Sequence, residues 1–153
     1  MDSILVRERV FAHCAVDSKK QLLELIAGKA DRFLGFETRA VFDALMDRER
    51  LGSTGLGNGI AIPHAKLANV TSVTAMFLRL SQPVEFDAVD DRPVDLICAL
   101  FAPDTAGSDH LKALSRIART LRQQEVTDRI REASSADEIF EALAVAEQQS
   151  KAA

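Results

Sequence analysis

A glycine-rich segment between residues 52 and 64 constrains this 153-residue chain more than any other stretch. It reads GSTGLGNGIAIPH and holds four of the seven glycines. Glycines at this density exclude a stable helix interior, because each costs a helix about 1 kcal/mol. The run Ile60-Ala61-Ile62 has the pattern of a short buried strand that Pro63 ends. We therefore expect His64 just past a strand end, beside a loop rich in free N–H groups.

The same segment does not match two common phosphate-binding loops. Gly55, Gly57 and Gly59 lack the Gly-x-Gly-x-x-Gly spacing of a dinucleotide site, and Pro63 stands where a helix should begin. A Walker loop is excluded because no Gly-Lys-Ser/Thr is present. The residues alone also allow a tight turn without a ligand, followed by a hydrogen-bonded surface histidine. They indicate only an anion-compatible loop that presents His64.

The longer string GSTGLGNGIAIPHAKL resembles the phosphorylation-site signature of IIA proteins of the bacterial phosphotransferase system. The resemblance is to the mannitol/fructose class, and within it to the nitrogen-regulatory branch. It extends from about Lys19 to about Phe140. It implies that His64 carries a phosphoryl group on its Nε2 atom.

Composition limits the class of protein. The chain is 47% apolar and 27% charged, as in soluble globular proteins, and its length suits one domain over 1–153. A net charge of −4 without a basic block gives nucleic-acid binding little support.

No signal peptide is recognisable, and no apolar run approaches the roughly 20 residues that span a membrane. Cys14 and Cys98 form no disulfide framework, which favours the cytosol. His13 lacks the spacing of a zinc ligand, so we expect no metal.

Apolar periodicity predicts helices that alternate with short strands. Strands are predicted over 10–12, 73–80 and 94–101, with a short extended piece at 84–86. Helices are predicted from a cap at 17 or 18 to 34, from 37 to 47, from a cap at 108 or 109 to 123, and from 127. A capping box at Ser135 and Glu138 begins a last helix, whose tail frays from about Gln148. The order indicates an α/β fold of mixed α+β type, with a mixed central sheet covered by helices on both faces. The resemblance implies the same architecture.

Three side chains are candidates for the chemistry. His64 has the right ordinary pKa, about 6.5, to be neutral at pH 7, and its second ring nitrogen needs an acceptor, which we expect to be a backbone carbonyl. His110 lies in the string DHLKALSRIARTL, near a predicted helix start. By resemblance it lies beside His64 and contacts the phosphoryl group. Arg48 stands where the family has an arginine, and a planar guanidinium suits phosphate oxygens. Otherwise His110 is an exposed histidine and Arg48 a solvated charge.

Two further groups of residues are weaker candidates. Ser53, Thr54 and Gly55 could hold a phosphoryl group, or could be turn residues that satisfy their own backbone. Asn58 is expected in a turn, and Lys66 as a solvated charge near the site. An apolar rim for a docking partner is expected from Leu51, Leu56 and Ile60. The predicted buried stripe of the helix that contains His110 is Leu111, Leu114, Ile117, Ala118 and Leu121.

The resemblance implies a phosphoryl carrier that works without a metal or organic cofactor. The donor would be a small phosphohistidine carrier, HPr or its nitrogen-branch counterpart NPr, with phosphoenolpyruvate as the distant source. One alternative is a sugar-specific IIA protein that passes the group to a IIB domain. A second is a binding module that keeps the fold without transfer.

Overall fold

The apolar run Val94–Pro103, strand β6, is the central strand of a six-stranded mixed sheet. The computed structural model describes residues 4–152. The other strands are β1 (Val10–Cys14), β2 (Gly55–Gly57), β3 (Ile60–Ala61), β4 (His64–Leu67) and β5 (Thr74–Val84). The helices are α1 (Lys19–Leu34), α2 (Thr38–Arg50), α3 (Ser108–Leu121), α4 (Gln124–Glu132) and α5 (Ala136–Ala152), and a 3-10 turn at Arg7–Arg9 precedes β1.

Strand β6 has neighbours on both sides. On one side it pairs antiparallel with β5, which in turn pairs parallel with β1 at the edge of the sheet. On the other side β3 and then β4 run parallel to it, with Ile60 opposite Leu96 and His64 opposite Leu100. Strand β2 pairs antiparallel with β3. The glycine-rich segment is therefore a hairpin that continues into a strand aligned with β6.

Helices cover both faces of the sheet. One apolar cluster joins α1 and α2 to the first face and includes Leu22, Leu45 and Phe101. A second cluster joins α3, α4 and α5 to the other face and includes Phe77 and Ile117. Side chains of β6 enter both clusters, which explains its almost continuously apolar sequence. The predicted fold class, a mixed sheet between two helical layers, is confirmed.

The first helix begins and ends where the sequence indicates. The Oγ atom of Ser18 accepts a hydrogen bond from the N–H of Gln21 at 3.1 Å, as an N-cap does. Gly35 ends the helix with a φ of 75°, a left-handed conformation that glycine adopts without strain.

The second helix is longer than predicted. It continues to Arg50, whereas the charged residues after Asp47 were expected to leave the helix. Arg50 and Asp47 instead pair at 2.9 Å within the last turn, and Glu49 is buried there. Arg48 is consequently held on a helix and not on a loop.

The predicted buried stripe of α3 is wrong at Leu111, whereas Ile117, Ala118 and Leu121 are buried as predicted. Leu111 is 64% exposed, because His110 and Ala113 take the inward positions together with Ile117. Positions 110, 113 and 117 are spaced by three and four residues, so they lie on one helical face. His110 is therefore on the buried face of α3.

Other helix boundaries also differ from the prediction. No side chain caps α3, so the predicted cap at positions 108–109 is wrong. Helix α4 begins at Gln124, before the predicted start at Thr127. Helix α5 continues to Ala152, and fraying of its tail from about Gln148 stays a prediction.

Gly59→Ala should destabilise the fold, because two constraints meet at this turn position. The φ of Gly59 is 80°, and an added Cβ would lie 2.5 Å from Nη2 of Arg131 and 2.8 Å from Oδ1 of Asp95. We expect the free energy of unfolding to fall by about 1–3 kcal/mol in denaturant titrations. Gly28→Ala is the control: no described atom lies within 4 Å of an added Cβ there, and alanine should stabilise α1 by about 0.5–1 kcal/mol. Equal stability of wild type and Gly59→Ala would contradict this turn geometry.

Candidate active site

Strand alternation decides which way His64 points. In the segment 60–65 the isoleucines pack into the cluster with α3, and the alanines pack into the cluster with α1 and α2. His64 shares its parity with the isoleucines, so it faces α3. It follows the end of β3, as predicted, but it is also the first residue of a further strand, β4, which was not predicted. The reason is that pairing with β6 resumes after Pro63, whose carbonyl accepts a hydrogen bond from the N–H of Leu100 at 2.9 Å.

The imidazole ring of His64 is held at both nitrogens. Its Nδ1 lies 2.9 Å from the carbonyl oxygen of Ile62, and its Nε2 accepts a hydrogen bond from Nε of Arg48 at 3.1 Å. A carbonyl only accepts and a guanidinium only donates, so the contacts require a proton on Nδ1 and a lone pair on Nε2. The expected backbone acceptor is thus the carbonyl of Ile62.

Burial and charge keep this ring neutral. Burial lowers the pKa of His64 below its ordinary value, and the hydrogen bond to Ile62 opposes that shift. The guanidinium of Arg48 lowers the pKa further, while Glu49 raises it. The folded protein then binds fewer protons than the unfolded chain below about pH 6.5, so this group reduces stability as pH falls through that window.

Arg48 reaches His64 from the helical layer on the other face of the sheet. Within residues 4–152, strand β4 has β6 as its only sheet neighbour, and α2 packs against it. From the last turn of α2, Nη1 of Arg48 also donates to the carbonyl of Gly52 at 2.8 Å. Because the guanidinium of Arg48 makes two hydrogen bonds within the protein, Arg48 does not fit the alternative in which it is a solvated charge.

His110 contacts His64 from the α3 side. The two ring centroids are 5.3 Å apart, with the rings tilted by 50°. His110 is only 6% exposed, so the exposed-histidine alternative is wrong. Its pKa is lowered first by burial and then by electrostatic interaction with His64 and Lys66. Among the described residues, its buried Nδ1 has no hydrogen-bond partner.

A buried carboxylate anchors the loop between α2 and β2. Glu49 accepts a hydrogen bond from the N–H of Thr54 at 3.0 Å and another from the Thr54 hydroxyl. It also pairs with Nζ of Lys19 at 3.0 Å. Since Glu49 follows Arg48 in α2, the same helical turn fixes both the guanidinium and the loop beneath it.

The loop residues make the internal contacts of turn residues. Oγ of Ser53 donates to the carbonyl of Phe86 at 2.8 Å and accepts from the N–H of Gly55 at 3.1 Å. The N–H groups of Thr54 and Gly55 both have partners, so the expectation of free N–H groups is wrong at these positions. Asn58 has a φ of 58° in the hairpin turn, as expected.

A pocket of about 510 Å³ opens beside His64. Its walls are Arg48 and the loop residues 53–56 on one side, and α3 with Arg119 and Arg122 on the other. The sequence reasoning did not find these two arginines. They recur at helical spacing on the polar side of α3, but such spacing does not tell a pocket wall from a solvated face.

The expected apolar rim is only partly present. Leu51 is 85% exposed and Leu56 is half-buried at the pocket. Ile60 is 2% exposed, because its side chain lies in the cluster with α3, so its assignment to a docking rim is wrong. Leu111 is exposed on the first turn of α3, next to His110, and was not predicted for this role.

Three observations concern membrane-spanning helices, metal sites and the two cysteines. No helix among the described residues is long and apolar enough to span a bilayer. In the same part of the chain, no group of three or more histidine, cysteine or acidic side chains is arranged to hold a metal. Cys14 and Cys98 are buried and unpaired, and burial raises the pKa of Cys98 to about 12.

Comparison with known protein families identifies the family to which this site belongs. Residues 3–145 match the family described as phosphoenolpyruvate-dependent sugar phosphotransferase system, EIIA 2. The chain belongs to this family. EIIA membership confirms the resemblance and assigns the chain to phosphoryl transfer within the phosphotransferase system.

Individual EIIA relatives agree in sequence and in structure. The nitrogen regulatory protein of Bradyrhizobium diazoefficiens is 44% identical over 142 residues, which cover 93% of each chain. The fructose-specific EIIA component of Haloferax volcanii is 38% identical over 122 residues, 80% of this chain and 76% of that one. The crystal structure of nitrogen regulatory protein IIA-Ntr from Neisseria meningitidis superposes with a TM-score of 0.87 at 39% identity, over 92% of this chain and 97% of that one.

Nitrogen-detected NMR of the unphosphorylated protein should find His64 as the neutral Nδ1–H tautomer. The carbonyl of Ile62 accepts that proton, and burial should place the pKa of His64 below about 6.5. A pH titration of ¹⁵N-labelled protein, with His64→Gln to assign the signals, measures both quantities. An Nε2–H tautomer, or a pKa above 6.5, would contradict the hydrogen bonds described for this ring.

Proposed function

We propose that Nε2 of His64 accepts a phosphoryl group from a phosphohistidine carrier, HPr or NPr, and so acts as a phosphoryl-carrier and regulatory protein. The observation that supports this most is the lone pair on Nε2, which the proton on Nδ1 and the N–H of Arg48 both require. The transfer breaks the phosphorus–nitrogen bond of the donor and forms one to Nε2. The electron pair of the broken bond stays on the donor ring.

Arg48 and His110 are proposed to stabilise the transferred group. Phosphoryl transfer depends mainly on positioning and on neutralising charge over the phosphoryl oxygens. Arg48 already lies against Nε2, and its planar donors suit two oxygens at once. The His110 ring lies beside the His64 ring, and its lowered pKa leaves it neutral near pH 7 with one N–H to donate. Neither role needs a metal or an organic cofactor.

The nitrogen-regulatory branch is our proposal for the biological role. The relatives at 44% and 39% identity are named nitrogen regulatory proteins, and both are covered almost completely. The alternative is a sugar-specific IIA protein, and the 38% identity to a fructose-specific EIIA component supports it. Transfer to a IIB domain would favour the sugar role, whereas phosphorylation-dependent binding of a regulatory target would favour ours.

We also propose a compartment, a domain extent and a docking surface for the protein. A donor of the HPr or NPr type works in the cytoplasm, which is the compartment we propose. We propose a single EIIA domain over 1–153, in agreement with the family match over residues 3–145. Docking would use Leu51, which is exposed, and Leu56, which lines the pocket, and would be transient because a carrier must also leave.

Incubation with a phosphorylated HPr-type carrier should label the protein once, on His64. The phosphoramidate should be labile in acid and stable in base, and mass spectrometry after digestion at high pH locates it. His13→Ala is the matched control, because His13 lies on the exposed side of β1. Full labelling of His64→Ala would contradict the assignment. Carrier binding to wild type without any labelling would instead favour the binding-module alternative.

Arg48 variants should slow transfer in a definite order. Arg48→Lys keeps the charge but loses the planar fork, and Arg48→Ala loses both. We expect Ala to be slower than Lys, with a loss of up to about 10²-fold, the lower end of what one preorganised donor contributes elsewhere. Rapid-quench single-turnover transfer measures this, while carrier affinity is measured separately. The exposed Arg50→Ala variant controls for general loss of charge at the end of α2. Wild-type rates in Arg48→Ala would remove Arg48 from the site.

A further inference from the structure

We propose that the pocket beside His64 binds a small anion with two charged ends, such as a dicarboxylate or a phosphate ester that also carries a carboxylate, and that its binding opposes phosphorylation of His64. One end would contact Arg119 and Arg122, and the other would contact Arg48. The inhibitory part rests on the proposed function of His64. The claim that the pocket binds an anion rests on its arginines and is tested without phosphoryl transfer.

The charge of the pocket is opposite to that of the chain. Three arginines line it, at positions 48, 119 and 122, and no aspartate or glutamate is among its lining residues. The chain as a whole carries a net charge of −4. A cleft with one sign of charge raises the local concentration of ions of the other sign. This pocket therefore favours anions over the rest of the surface.

Arg119, in the last turn of α3, and Arg122, which directly follows the helix, have unused side-chain donors. Both are exposed, and neither guanidinium makes an ion pair or hydrogen bond within residues 4–152. The helix dipole favours cations in the last turn of any helix, so their position there does not by itself indicate a ligand. The stronger sign is that both line the same pocket as Arg48. Guanidinium groups bind carboxylates and phosphates through paired hydrogen bonds.

Distance along α3 separates these arginines from the phosphorylation site. His110 contacts His64, and Arg119 and Arg122 follow it by nine and twelve residues. At 1.5 Å per residue, their Cα atoms lie about 14 Å and about 18 Å further along the helix axis than that of His110. Their long side chains nevertheless line the same pocket as His64. Leu114 and Ala118 line the stretch between, so a ligand that joins both ends needs an uncharged middle.

The size of the pocket fits such a ligand. Small-molecule sites usually measure about 300–1,000 Å³, and this pocket measures about 510 Å³. Opposition to phosphorylation follows from Arg48, whose N–H groups now serve Nε2 of His64 and the carbonyl of Gly52. An anion at that end takes the same donors and occupies the space of an incoming phosphoryl group. Linkage then requires that phosphorylation weaken anion binding by the same factor.

Calorimetry and NMR with two probes test the proposal. Succinate represents dicarboxylates, and 3-phosphoglycerate, with a carboxylate at one end and a phosphate at the other, represents phosphate esters. Inorganic phosphate, which reaches one end only, and sodium chloride at matched ionic strength are the references. We expect at least one two-ended probe to bind more tightly than inorganic phosphate, and the probe that does so identifies the ligand class. Its affinity should fall at least about tenfold in phosphorylated protein, and it should slow transfer from the carrier.

Paired variants identify the groups responsible. Arg119→Gln/Arg122→Gln removes two charges from the pocket and keeps good helix formers. We expect it to weaken the two-ended probe at least about tenfold, since charge-assisted hydrogen bonds are lost. Lys112→Gln/Arg39→Gln removes the same charge outside the pocket and should bind like wild type. Thermal unfolding confirms that both pairs are folded.

Three results would overturn the proposal. The first is binding no tighter than the chloride reference, and the second is an equal loss of affinity in both pairs of variants. The third is absence of anion binding while the pocket variant slows transfer from the carrier, which would assign the arginines to protein docking. A failure of the His64 assignment looks different, because it appears in labelling without any added anion.

Discussion

Pairing of the segment 60–67 with β6 is the constraint on which the site depends. The N–H and carbonyl of one strand residue point to the same side. At Ile62 the N–H donates to the carbonyl of Thr54 at 3.1 Å, away from β6. Its carbonyl therefore also points away from β6, and it accepts the Nδ1 proton of His64 at 2.9 Å. Pro63 makes the opposite contact, with its carbonyl bonded to β6 at Leu100. The sheet itself thus selects the tautomer of the ring.

The two helical layers supply the other side chains that surround the His64 ring. Helix α2 ends at the open edge of β4 and supplies Arg48 together with Glu49, whose buried carboxylate ties down the loop at Thr54. Helix α3 supplies His110 from the other face. A guanidinium and an imidazole from opposite layers meet at the His64 ring, which explains why a charged helix end and a helix start frame the glycine-rich segment in the sequence.

Much of this arrangement could be predicted from local patterns. Periodicity and capping residues located α1 and β6, and the two-layer fold followed from the order of elements. The neutral ring of His64 and its backbone acceptor followed from chemistry. The placement of His110 and Arg48 beside it came from family resemblance, because spacing alone does not show which distant residues meet.

Most of the errors have one physical cause, which is tertiary contact. Ile60 resembled a rim residue in a loop, but pairing with β6 turns it inward. Thr54 and Gly55 offered free N–H groups in the sequence, but Glu49 and Ser53 already accept from them. Arg119 and Arg122 became pocket residues only because α3 packs across from the loop. The outcomes at Ile60 and at the two arginines depend on partners far along the chain, which local pattern does not encode. The acceptors for Thr54 and Gly55 are only five and two residues away, and the sequence did not show that these side chains turn toward the loop.

The position of the phosphoryl group on the ring tests the central claim most directly. If the carbonyl of Ile62 holds the proton on Nδ1, only Nε2 has a lone pair to offer. Nitrogen-15 and phosphorus-31 NMR of the phosphorylated protein distinguishes the two ring isomers. The account predicts phosphorus bonded to Nε2 of His64, with the Nδ1 proton still present and hydrogen-bonded. Phosphorus bonded to Nδ1 would contradict it.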